Sequence, residues 1–206
     1  MQHQDTVFLK KEKENCIYIE PNKNSEKYKT ISDFNFAEYQ QEDYTEQLKT
    51  LNENETPFHT IRFGSFPKQW ITIQLYKQKP YAYYPCDFLN YSALLFTDST
   101  LLEISGEGPQ VLPIISFKKV NEKTYRVKAV GRELIFHFTS IAGQSVTVVE
   151  NYYNHQEEPE RIPIYQLMVQ AKNIRSLPLI VNECLYNKTI EFTFDHPDLK
   201  KFINCN

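Results

Sequence analysis

Residues 124–139, TYRVKAVGRELIFHFT, constrain this chain more than any other stretch. Apolar side chains recur at alternate positions on both sides of one glycine, the pattern of two antiparallel strands with one buried face. Gly131-Arg132 fits the centre of a two-residue type II′ turn, whose first residue needs a positive φ. That turn sets Val130 opposite Glu133, then Ala129 opposite Leu134, Val127 opposite Phe136 and Tyr125 opposite Phe138. The last three pairs are apolar. The alternate pairs, Lys128 with Ile135, Arg126 with His137 and Thr124 with Thr139, make a second, mostly polar face. Arg126, Lys128, Arg132 and His137 are therefore expected to meet only water. A one-residue slip would put Phe136 and Phe138 in solvent, so the choice of face is strongly fixed.

From residue 58 onward the same pattern repeats. Runs at 58–63, 69–76, 81–84, 91–96, 100–104, 110–120, 146–153, 164–171, 177–181 and 189–194 read as strands, divided by turn residues such as Thr97-Asp98-Ser99 and Asn121-Glu122-Lys123. In 69–76, Ile71, Ile73 and Leu75 alternate against Trp70, Thr72, Gln74 and Tyr76. With only 5 Gly, most connections must rely on Asn, Asp, Lys and Pro. Short links between consecutive strands predict an antiparallel meander, and about eight to ten short strands manage their edges best by closing. The expectation is a mainly all-β domain, an up-and-down barrel in preference to a two-sheet sandwich. In layout it resembles the calycin group of lipocalin-like and fatty-acid-binding-like proteins, although the Gly-x-Trp of a lipocalin first strand is missing at Trp70.

Residues 1–57 read as an N-terminal extension packed on the β domain of 58–206. Cys16-Ile17-Tyr18-Ile19 fits a short edge strand, and the spacing of Tyr44, Leu48 and Leu51 predicts an amphipathic helix over 42–52. The first residues lack the apolar run of a leader, and no stretch approaches the roughly 18 apolar residues of a membrane span. Cytoplasmic location is the default, with export after removal of a leader as the alternative. Cys16, Cys86, Cys184 and Cys205 lack zinc-site spacing. An even count permits two disulfides in an oxidising compartment, Cys184 with Cys205 closing a loop near the C-terminus, and reduced thiols are the competing reading.

A net charge of −3 argues against a dedicated nucleic-acid binder, which needs a basic surface to neutralise phosphates. No nucleophile elbow, metalloprotease helix, phosphate loop or dinucleotide fingerprint is present, and neither a cofactor nor a metal-ligand set is indicated. His155 with Glu157, Glu158 and Glu160 in the polar loop 154–163 reads as a solvated acidic turn. Two groups stand out. Trp70, Tyr76, Tyr81, Tyr83 and Tyr84 suit a ligand with an apolar or ring face. Lys118, Lys119, Lys123, Arg126, Lys128 and Arg132 concentrate positive charge and suit an anionic partner. These features favour a non-enzymatic barrel that binds a small hydrophobic or aromatic ligand. A structural or interaction protein docking a macromolecule through the sheet surface or the basic hairpin is the alternative. An enzyme of hydrolase type that assembles His59, His137 or His196 with carboxylates through folding is a further one.

Overall fold

Alternation along the strands produces two large cores and a smaller third one around Ala93, Leu102 and Ile104, because one set of strands buries both of its faces. The computed structural model describes residues 6–11, 15–153, 162–184 and 191–203. Eight strands form a closed antiparallel barrel. In chain order they are β3 (Gln69–Thr72), β6 (Ala93–Phe96), β7 (Thr100–Ser105), β8 (Gly108–Lys119), β9 (Thr124–Ala129), β10 (Arg132–Ile141), β11 (Gln144–Tyr153) and β12 (Ile164–Gln170), and β12 pairs back onto β3. The expected meander is thus closed. A second sheet of five strands runs β1 (Val7–Lys11), β2 (Asn15–Glu20), β13 (Leu179–Cys184), β5 (Lys79–Tyr84) and β4 (Gln74–Tyr76), with β13 parallel to β5.

The inward-facing residues of the barrel, among them Trp70, Phe96, Leu101, Val127, Leu134, Phe136 and Met168, pack into one cluster. Their neighbours on the outer face, Ile71, Ile73, Val146, Val148, Leu167 and Val169, join Ala82, Leu179 and Val181 of the second sheet in another. Tyr28 and Ile31 of α1 (Glu26–Ser32) complete that second core, with Tyr28 donating its hydroxyl hydrogen to Leu177 O at 2.8 Å. The chain passes from barrel to second sheet within 69–76, where the single expected strand is split at Ile73 into β3 and β4. Glycine is scarce, and the β4–β5 hairpin turns on Lys77 and Gln78 at φ of 49° and 62°. Gln78 N–H donates to Asp195 Oδ2 at 2.8 Å, which holds this turn.

Four expectations change. Residues 58–63 are not a strand; Phe63 and Phe66 instead enter one end of the barrel as a plug, touching Phe96 and Phe117, and Ile61 N–H donates to Asp98 O at 2.6 Å. Burial of the two aromatics stabilises this segment, which has no strand partner, by about 1.5–3 kcal/mol for each ring. Of the run 189–194, the described residues 191–194 lie outside any strand, and Asp195 bridges Leu75. Cys184 is bonded to Cys86, with a Cα–Cα distance of 5.5 Å, while Cys205 lies outside the described residues. The fourth is the register of the hairpin. Arg132 faces Ala129, Leu134 faces Val127 and Phe136 faces Tyr125, so Val130 and Gly131 form the turn, with Gly131 at φ 71°. This differs by two residues from the expected pairing and keeps every apolar face.

Helix α2 (Glu38–Glu53) contains the expected 42–52 and lies beside β8. Its Gln47 completes an open edge. β9 covers β8 only from Ile114 to Lys119, which leaves the earlier half of β8 unpaired on that side. There Gln47 Oε1 accepts from Val111 N–H at 2.9 Å and its Nε2 donates to Pro109 O at 2.7 Å, the pair of bonds a neighbouring strand would supply. Pro109 and Pro113 fall in the same half-strand, where their missing N–H groups leave no ladder bond unmade.

Candidate functional site

The barrel interior is filled. Trp70, Phe136, Ile114 and Val127 are each 0% exposed, and Trp70 Nε1–H donates to Pro67 O at 2.8 Å. Toward the end opposite the plug the filling becomes ionic. Arg132, 2% exposed, shares parity with Leu134 and Phe136 and so points inward. Its Nε donates to Asn151 Oδ1 at 2.7 Å, its Nη1 and Nη2 to the two oxygens of Glu103, and its guanidinium lies 4.7 Å from the Tyr153 ring centre. Two charges and an amide satisfy each other there, as a buried charge requires. Arg132 was expected in solvent, and it does not join the surface cations.

A broad depression lies outside the barrel, on the outer face of β9 and β10 beside the β8–β9 turn. It holds about 690 Å³, with Val120, Ile135 and Ile203 among its apolar walls and Lys123, Arg126 and His137 among its polar ones. Arg126 approaches Glu133 at 3.4 Å. His137 was expected to meet only water, yet its Nε2 lies 2.6 Å from Glu150 Oε1. An ionised carboxylate can only accept, so Nε2 carries the hydrogen. Tyr152 donates its hydroxyl hydrogen to the other Glu150 oxygen at 2.5 Å, and burial first, then this bond, pushes the Tyr152 phenol well above the usual tyrosine range.

A second depression of about 320 Å³ opens at the plugged end, in the mouth of the barrel itself. Lys123 and Phe138 line both depressions. The β10–β11 register places Phe138 opposite Thr147 and Ser140 opposite Ser145. Thr147, Ser140, Ser145 and Gln170 supply polar lining to this mouth.

The aromatic group divides. Trp70 belongs to the barrel interior, whereas Tyr76, Tyr81 and Tyr83 sit on the second sheet, Tyr76 against Tyr81 and Phe192 and Tyr83 against Phe194. Tyr84 packs instead toward the inter-sheet core and Phe88. Tyr83 donates to Glu191, accepts from Asn182 Nδ2 at 3.0 Å and from Phe192 N–H at 3.4 Å. Burial, then the Glu191 bond, raises its phenol strongly. Asn90 Nδ2 also donates to Glu191, at 3.1 Å, so this cluster fastens the segment 191–195 to β5 and the loop after it. The tyrosine faces are thus occupied by the chain's own residues.

Of the cations, Lys118 lies directly opposite Arg126 and Lys128 opposite Ser116, while Lys119 pairs with Glu122 at 2.7 Å. His59 and His196 are exposed. His155 and its acidic neighbours lie outside the described residues. Among the described residues no three His, Cys, Asp or Glu side chains converge on a metal-sized site, and no helix is long and apolar enough to cross a membrane. No protein-family model, curated protein or solved structure matches the chain.

Proposed function

We propose that this protein is a non-enzymatic binding protein in which the filled barrel is a rigid frame and the groove over β9 and β10 holds a small hydrophobic or aromatic ligand bearing an anionic group. The observation that carries this reading is the groove lining: Val120, Ile135 and Ile203 offer apolar contact, and Lys123 and Arg126, against the single carboxylate of Glu122, leave the lining positive and suited to a negative charge. The packing around Trp70 moves the expected ligand from the interior to the wall. Catalysis by His137 is less well supported, because no hydroxyl or thiol hydrogen-bonds to His137 among the described residues and Glu150 is shared with Tyr152. The Cys86–Cys184 bond supports placing this function in an oxidising compartment.

A second reading, docking of a larger acidic partner, draws support from the cations on β8 and β9, where Lys118 faces Arg126 and Lys128 lies two residues further along the same strand. One titration separates the two. 1-Anilinonaphthalene-8-sulfonate, an anionic aromatic, should bind saturably to the parent, and Ile135→Asp or Arg126→Glu should weaken it tenfold or more. Lys118→Glu with Lys128→Glu should leave it unchanged, because neither residue lines the groove. Trp70 emission, reporting the interior, should stay constant throughout. Equal binding by the parent and Ile135→Asp would sink the groove assignment.

A further inference from the structure

We infer that a notch in the barrel wall is a second binding site, separate from the outer groove, and that its ligand is a small primary ammonium with a short apolar body. The strongest observation is a pair of oxygens. Thr72 Oγ1 and Gln166 Oε1 are buried without a hydrogen-bond partner among the described residues, and both residues line one depression of about 320 Å³. A buried oxygen without a partner lowers the stability of a fold, so a donor is expected from outside the chain. No hydrogen bond holds the Gln166 side chain among the described residues, so its amide can turn toward a ligand.

The strand topology explains the notch. β3 pairs with β12 only from Thr72 opposite Met168 to Trp70 opposite Gln170, and Ile73 N–H makes the last link, to Leu167 O at 2.8 Å. Beyond Ile73 the chain turns out of the barrel, and β4 pairs with β5 instead. β12 runs on to Ile164, so Tyr165 and Gln166 have no strand beside them on that edge among the described residues. Thr72 shares parity with Trp70, and Gln166 with Met168, which turns both toward the barrel side of the gap. Asp195 supplies the charge. Its N–H donates to Leu75 O at 2.8 Å and its Oδ2 accepts from Gln78 N–H at 2.8 Å, which fixes a carboxylate at the notch. Asp195 is the only acid of the lining, His196 and Tyr165 are its other titratable side chains, and no Lys or Arg belongs to it among the described residues. Lys200 stands over the Tyr165 ring, 5.5 Å from its centre, and is not part of the lining. A carboxylate and an amide oxygen only accept, and a hydroxyl can accept as well, which matches the three N–H donors and the positive charge of an ammonium group. Leu75, Pro197 and Leu199 supply the apolar wall. A volume of about 320 Å³ lies at the lower end of the usual range for ligand sites and restricts the ligand to a small one.

The test is amide shift mapping on the full chain with three probes of equal length: butylammonium, butanol and butyrate. Saturable shifts at Thr72, Gln166 and Asp195 with butylammonium, binding weaker by about tenfold or more with butanol, and no shifts there with butyrate are the expected result. Thr72→Val keeps the side-chain shape and should weaken the butylammonium response about fivefold or more without lowering the unfolding temperature, because its hydroxyl has no partner to lose. Gln166→Leu should weaken the same response. Asp195→Asn, whose amide oxygen can still accept from Gln78 N–H, should abolish the preference for the ammonium over the alcohol. The inference is overturned if butylammonium produces no saturable shifts at these amides, as for a notch that holds only an ordered water. It is equally overturned if butanol or butyrate binds as well as butylammonium, or if Thr72→Val and Gln166→Leu leave the response intact. A lower unfolding temperature for Thr72→Val would place a partner for its hydroxyl inside the fold and would also count against it. Because the outer groove takes an anionic probe and reports through Ile135 and Arg126, failure here leaves the groove assignment standing, and the reverse also holds.

Discussion

Replacing Glu103 with leucine should destabilise the barrel more than replacing Arg132 with methionine, although both changes break the same ion pair. Arg132 is 2% exposed, whereas the Glu103 side chain keeps 22%. Glu103→Leu therefore strands a guanidinium that cannot shed its proton, leaving it the Asn151 amide and the Tyr153 ring. That loss belongs at the upper end for a broken buried pair, about 4–5 kcal/mol. Arg132→Met strands a carboxylate that water can reach and that can take up a proton, and about 2–3 kcal/mol is expected. The double variant strands neither charge and replaces both with side chains of similar volume. It should lie within about 1 kcal/mol of the parent, which makes the coupling between the two sites several kcal/mol. Urea unfolding followed by Trp70 emission measures all three, since Trp70 is the chain's single tryptophan and is 0% exposed in the same interior. Arg132→Met matching or exceeding Glu103→Leu, or losses that simply add in the double variant, would refute the claim that stranded charge sets the magnitude.

Gln47→Ala should cost about 1–3 kcal/mol, because it leaves Val111 N–H and Pro109 O without partners at the open edge of β8. Hydrogen exchange should accelerate at the Val111 amide, and unchanged protection there would show that Gln47 is not what closes the edge. Alkaline pH should also unfold the protein. Burial raises the phenols of Tyr28, Tyr83 and Tyr91 well above their usual value, so the folded state retains protons that the unfolded state releases. Their contribution is intact below about pH 10 and is lost as pH rises above it, together roughly 4 kcal/mol by about pH 11. Tyrosinate absorbance and circular dichroism measured on one alkaline titration should show a late tyrosinate step coincident with unfolding. A single smooth step near the ordinary tyrosine value, with the fold intact, would contradict it.

The sequence made the barrel legible because period-2 alternation is a local signal and closure follows from having many strands with short links. The second sheet was not legible. β13 reads as one more apolar run, and nothing within Leu179–Cys184 announces that it will leave the barrel and pair in parallel with a strand about a hundred residues earlier. The tyrosines of β4 and β5 looked like a ligand surface because their partners, Phe192, Phe194 and Glu191, lie far along the chain. The notch was equally hidden: Thr72 and Gln166 are ordinary polar positions until β3 pairs with β12 and the chain then turns out of the barrel.

The hairpin of 124–139 shows how one local choice carried the largest consequence. A glycine can occupy either central position of a two-residue turn, with a type II′ turn needing it first and a type II turn needing it second. Here Gly131 is second, after Val130, and moving the turn back by one residue shifts the pairing by two. Because two is the period of the side chains, all of the apolar faces survive, and Val127, Ala129, Leu134 and Phe136 are buried as expected. Arg132 is the exception. It passes from the tip of the turn to the first rung of the ladder, in parity with Leu134, and so from solvent to the interior. An inward arginine then requires an inward acid, and the sequence holds one signal of it: Glu103 shares parity with Leu101 in the otherwise apolar run of β7. The turn position and the buried ion pair are therefore linked, and a charge at an inward position of one strand is reason to look for a turn that can turn its opposite inward on another.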